Sequence, residues 1–136
     1  MSTGPSDRVG VRRLTVTPDR PPWVLALSDG AALVLFSVVG LLSHDGTVSV
    51  GGLARDALPL LAGWFAAALL FRTYRGRSVR ALLLTWIVGV PLGVALRAVV
   101  LGRAFERREA AFLAVALAFT LVFVLAARVV LGLLRR

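Results

Sequence analysis

The sequence predicts an all-α protein, a four-transmembrane-helix bundle with both termini on the cytoplasmic side (N-in/C-in). Three observations carry that expectation. Of the 136 residues, 58% are hydrophobic and only 17% charged, whereas a soluble domain is about half apolar and about a quarter charged. The mean hydropathy of +0.85 agrees, and one modest soluble core could not hide so much apolar surface. The apolar residues also gather into four runs divided by short polar breaks. Finally, none of these runs alternates apolar with polar residues as barrel strands do, and a chain in lipid must satisfy its own backbone hydrogen bonds, so the runs are helices.

Residues 1–22 hold Gly4, Pro5, Pro18, Pro21 and Pro22 with four arginines and little apolar periodicity. They are expected to be a disordered cytoplasmic tail, followed by one four-helix domain over 23–136. The first span is expected at about 23–43, roughly the 20 residues that cross about 30 Å of hydrocarbon. The second, about 57–71, is short, with 53–56 available to extend it into the interface. The third, about 81–101, contains Pro91 and Arg97, and the fourth, about 110–134, contains Arg128.

Orientation follows from arginine, which supplies all 16 basic residues and leaves a net charge of +9. With four spans, Arg8, Arg12, Arg13, Arg20, Arg72, Arg75, Arg77, Arg80, Arg135 and Arg136 share one side, and Arg55, Arg103, Arg107 and Arg108 lie on the other. The richer side is the cytoplasmic one, which places both ends on the cytoplasmic side of the cell membrane. In a soluble chain such charge would suggest nucleic acid; flanking apolar spans, it reads as a topology signal, and no nucleic-acid partner is expected.

Ionisable groups within spans are costly and need partners. Asp29 lies six residues from Trp23 and Arg128 six from Leu134, so each sits roughly 9 Å from the same face of the bundle. They can meet, either as a structural pair or as part of an ion relay. A permanent cation against the single carboxylate favours the structural pair. Arg97 lies four residues from Leu101, roughly 6 Å from the opposite face, so its expected partners are Asp56, Asp45 and His44, and otherwise it snorkels. The alternative is an anion site in which Arg97 stays unpaired in an open cavity walled by Trp64 or Trp86. Asp29, Arg128, Arg97, Asp56 and His44 together form the expected intramembrane polar network.

Ser43-His44-Asp45 invites a catalytic reading, but adjacent residues point in different directions on a helix, and one histidine without cysteine makes no usual metal site. Phosphate-loop, zinc-helix and nucleophile-elbow motifs are missing from the sequence. No catalytic role, metal or cofactor is therefore expected. Gly89, Gly93 and Arg97 recur at four-residue spacing with Trp86 on the same face, and Gly63 with Ala67 repeats the spacing in the second span; small residues so placed let helices approach closely. Pro91 is expected to kink the third helix.

The order Asp29, Phe36, Gly40 and Ser43-His44, then Pro59 and Gly63-Trp64, then Trp86, Gly89 and Arg97, then Phe112 and Arg128 resembles an uncharacterised family of small bacterial and archaeal membrane proteins, domain of unknown function 3054. The resemblance spans about Leu25 to Arg128 and implies the four-helix architecture without implying an activity. In that family pattern the last arginine follows a tryptophan; here Ala127 precedes it. The expected function is an integral membrane protein of structural or interaction type, with a small oligomeric transporter of ions or solutes using Asp29, Arg97 and Arg128 as the alternative. Its expected partners are the lipid bilayer and a second copy or another membrane protein.

Overall fold

The computed structural model describes residues 20–76, 78–102 and 107–134, apart from the side chain of Asp45. Most of the expected tail, residues 1–19, and the terminal arginines 135 and 136 lie outside the described residues. Helix α1 covers Pro22–Asp45, α2 Val50–Leu70, the short α3 Thr73–Gly76, α4 Val79–Val100 and α5 Arg107–Leu133. All but α3 are long and apolar enough to cross a membrane.

Each boundary has a local cause. Pro22 opens α1, where its fixed φ suits the first turn and its missing N–H costs nothing. Gly46 closes α1 at φ 67°, a left-handed conformation that glycine adopts without a Cβ clash. Ser49 caps α2, its Oγ accepting from the Gly52 N–H at 3.1 Å, so α2 begins at Val50, seven residues before the expected 57. Hydropathy marks where a helix enters the hydrocarbon, whereas the cap marks where it begins, and Arg55 and Asp56 fall inside the interfacial turns. By the same logic α5 begins at Arg107 instead of 110 and takes Glu109 into its first turn, where the helix dipole favours an acid. Helix α4 runs through Pro91 without interruption.

The four long helices form a ring in which α1 packs on α2 and α5, and α4 packs on α2 and α5. The tightest contact is α2 against α4. A Cβ on Gly63 would meet the Gly89 carbonyl oxygen and the Gly93 Cα at 2.6 Å, so at this crossing only the absence of a side chain lets the two backbones touch. Trp64, Leu33, Val90, Val94 and Val124 fill the centre with essentially no exposure. Leu27, Leu69, Val99, Val122 and Val130 are exposed on the outside, a distribution suited to lipid and one that would aggregate in water.

Pro22 and Leu133 lie at one end of the bundle, the terminal end, where the Arg20 Nη2 donates to the Leu131 carbonyl at 3.2 Å. The α2–α4 connection shares that end. The α1–α2 and α4–α5 connections lie at the far end.

Candidate functional site

Charged side chains enter the bundle at two levels, one per end. At the terminal end, Asp29 on α1 and Arg128 on α5 are 0% and 1% exposed. Arg128 presents a two-pronged edge, with Nε donating to Asp29 Oδ1 at 3.1 Å and Nη2 donating to Oδ2 at 2.8 Å, the geometry that gives arginine–carboxylate pairs their strength and direction. Arg128 Nη1 is buried and meets no acceptor among the described residues.

A third donor reaches the same carboxylate. After α2 ends, Arg72 takes φ 52°, and this left-handed turn sends α3 back under the bundle so that the Tyr74 hydroxyl donates to Asp29 Oδ2 at 2.9 Å. Trp64 Nε1 donates to the same hydroxyl at 3.1 Å, giving a chain Trp64, Tyr74, Asp29, Arg128 that joins four elements. Burial, and then the Asp29 charge, push the Tyr74 hydroxyl above its ordinary pKa, so it stays a donor. Thr73 supports the turn by bonding Thr85 and the Ala81 carbonyl.

At the far end, Arg97 on α4 donates from Nε to Asp56 Oδ1 at 2.8 Å and from Nη1 to Glu109 Oε2 at 3.4 Å. Its guanidinium stacks over Phe112, 4.5 Å from the ring centroid, a cation–π contact. Glu109 is buried, while the Arg97 and Asp56 side chains keep 16% and 20% of their exposure. Beside this cluster lies a cavity of about 680 Å³, bounded by α1, the start of α2, α4 and the start of α5. Arg55, Arg108, His44 and Ser49 line it together with Phe36, Phe112, Leu101 and Val115.

The structure brings the expected residues together as two separate clusters, one at each end, in keeping with their depths in the sequence. Asp29 and Arg128 make one; Arg97 and Asp56 make the other. His44 is exposed on the cavity wall, without a hydrogen bond or ion pair among the described residues. The Asp45 side chain, another expected partner of Arg97, lies outside the described residues. Two further expectations are corrected. Arg97 is paired, so the unpaired anion site does not occur at its guanidinium, and its aromatic neighbour is Phe112. Trp64 sits at the other end on Tyr74, and Trp86 donates to the Leu117 carbonyl at 2.9 Å.

Sequence reasoning missed Tyr74 and Glu109. Tyr74 is the only tyrosine in the chain and stands in an arginine-rich break that reads as plain loop. Glu109 had a signal, since Phe112 and Ala116 follow it at helical spacing and place it on an inward face. Among the described residues no three histidine, cysteine, aspartate or glutamate side chains gather as a metal site would require.

A family model described as a protein of unknown function (DUF3054) matches residues 26–131. No curated protein and no solved structure matches the chain.

Proposed function

The chain belongs to the DUF3054 family, and from its own geometry we propose that it is an integral protein of the cell membrane, with both termini cytoplasmic, that acts as a structural or interaction protein. The carrying observation is Asp29, whose two oxygens receive three donors in a site with no exposure. A carrier carboxylate must exchange protons or ions with water, whereas this one is held on all sides by protein. The charge pair orients α1 against α5 and leaves the outer surface to lipid and to a partner, either a second copy or another membrane protein. No enzymatic role is assigned.

Orientation rests on the ten-to-four distribution of arginines between the two sides, which favours a cytoplasmic terminal end. A reporter fused after Arg136 is expected to behave as cytoplasmic, and an external signal would overturn the assignment. The functional test is reconstitution into liposomes loaded with a pH-sensitive dye, alongside capture of partners from native membrane after mild cross-linking. No proton leak above empty liposomes and a reproducible cross-linked partner are expected. A proton flux removed by Asp29→Asn would refute the reading.

A second reading, a small oligomeric transporter of ions or solutes, draws on the cavity beside Arg97. It differs in requiring that cavity to open to the terminal end during a cycle. Absence of any solute flux above empty liposomes in the reconstituted protein would exclude it.

A further inference from the structure

The cavity at the far end has an uneven charge balance. Among the described residues three guanidinium groups border it, those of Arg55, Arg97 and Arg108, against two carboxylates, Asp56 and Glu109. Both carboxylates are engaged on Arg97, which leaves that cluster with one net negative charge, and the two arginines at the mouth exceed it by one positive charge. Arg55 and Arg108 are exposed there. Arg55 bonds only its own helix, through Nε to the Gly51 carbonyl at 3.3 Å, among the described residues.

The depth of the cavity has a different character. Its lining on α5 runs from Arg108 to Val115, seven residues or about 10 Å along a helix. On α1 it runs from His44 down to Phe36, about 12 Å. The wall thus passes from arginines at the interface to Phe36, Phe112 and Val115 at the level of the apolar span. At about 680 Å³ the space matches that of small-molecule sites, which run to about 300–1,000 Å³.

We propose that this cavity binds an amphipathic anion, its acidic group held at the mouth by Arg55 and Arg108 and its apolar body seated on Phe36, Phe112 and Val115. Arg97 is the fixed floor of the charged rim, pinned by its two carboxylates so that it does not neutralise the ligand alone. The anion can be the phosphate of a lipid in the leaflet at the far end or the carboxylate of a water-soluble organic acid, since both present one negative group on an apolar body. The inference rests on the cavity and is independent of whether the protein works through a partner.

The test uses the full chain in a neutral detergent. Benzoate and benzylamine are compared by equilibrium dialysis, and phosphatidylglycerol and phosphatidylcholine by lipid retention in native mass spectrometry. Arg55→Gln with Arg108→Gln removes the charge at the mouth from exposed positions, and Val115→Trp fills the apolar depth. Saturable binding of an anionic probe is expected, weaker by about tenfold or more in each variant, as loss of a charged hydrogen bond or of the seat requires. Benzylamine and phosphatidylcholine should bind far less. Binding of benzoate alone identifies a soluble acid and retention of phosphatidylglycerol alone a lipid; either upholds the site. The proposal is overturned if neither anion binds, if benzylamine binds as tightly as benzoate, or if binding is indifferent to both the mouth and the depth variants.

Discussion

Replacing Asp29 with leucine strands Arg128 in the most enclosed polar site of the bundle. The guanidinium loses two hydrogen bonds, at 3.1 and 2.8 Å, and its only counter-charge among the described residues, while Nη1 already lacks an acceptor. An uncompensated buried charge costs about 3 to 5 kcal/mol, and the Tyr74 hydroxyl loses its acceptor at a further cost of about 0.5 to 1.5 kcal/mol. The folded-to-unfolded ratio should therefore fall by roughly two and a half to four and a half orders of magnitude. Arg128→Leu should be comparably severe. The double variant removes both charges together and should recover most of the loss, because a buried ion pair exchanged for apolar side chains is often close to neutral. Unfolding by a denaturing detergent in mixed micelles, followed by tryptophan fluorescence, reads this directly, since Trp64 stands two hydrogen bonds from Asp29. If each single variant stayed within about 1 kcal/mol of the parent, or if the double variant equalled the sum of the singles, the coupling would be refuted.

Gly63→Leu should separate α2 from α4 and cost about 3 kcal/mol or more, because the obstructing atoms are backbone and overpacking alone costs about 1 to 3; Gly132→Ala, where a Cβ meets nothing within 4 Å, should leave the same unfolding curve unchanged or slightly improved. Arg97→Leu leaves Asp56 and Glu109 together without their cation; with part of the cluster exposed the loss should be about 1 to 3 kcal/mol, smaller than at Asp29, and Glu109→Gln in the same background should restore part of it. Tyr74 has a folded-state pKa raised above the unfolded value of about 10. Its contribution is complete below that value and is lost as the pH rises above it, so stability should begin to fall above about pH 10 in the parent and fall less in Tyr74→Phe. Phenolate absorbance, which reports this one tyrosine alone, should appear later than in the unfolded chain.

The features legible in the sequence were those governed by depth and by the solvent. Four apolar runs specify four crossings, because lipid admits little else, and counting 1.5 Å per residue places Asp29 level with Arg128 and Arg97 level with Asp56. The glycine spacing in α2 and α4 was equally readable, since close backbone contact has few other compositions. Helix starts were less so. Val50 begins α2 because of the Ser49 cap, and Gly52 leaves room for it, since a Cβ there would meet the Ser49 Oγ at 2.9 Å; no hydropathy signal marks that. Tyr74 was hidden for a different reason: its position depends on the left-handed Arg72, and a non-glycine residue in that conformation is not announced by residue type. The cavity at Arg55 and Arg108 is bounded by residues from four helices, a juxtaposition that a linear pattern does not encode.

The two members of the buried pair lie on the first and last long helices, 99 positions apart in the chain. A ribosome delivering this chain into a membrane therefore releases α1 long before its counter-charge exists. Throughout the synthesis of α2 and α4, Asp29 faces either lipid, at a cost of about 2.5 to 3.5 kcal/mol on insertion scales, or the interior of the insertion machinery. The close α2–α4 hairpin can form in that interval from its own glycines, but the ring of helices closes only when α5 arrives with Arg128. A chain truncated before α5 would keep the Tyr74 donor to Asp29 but lack its counter-charge.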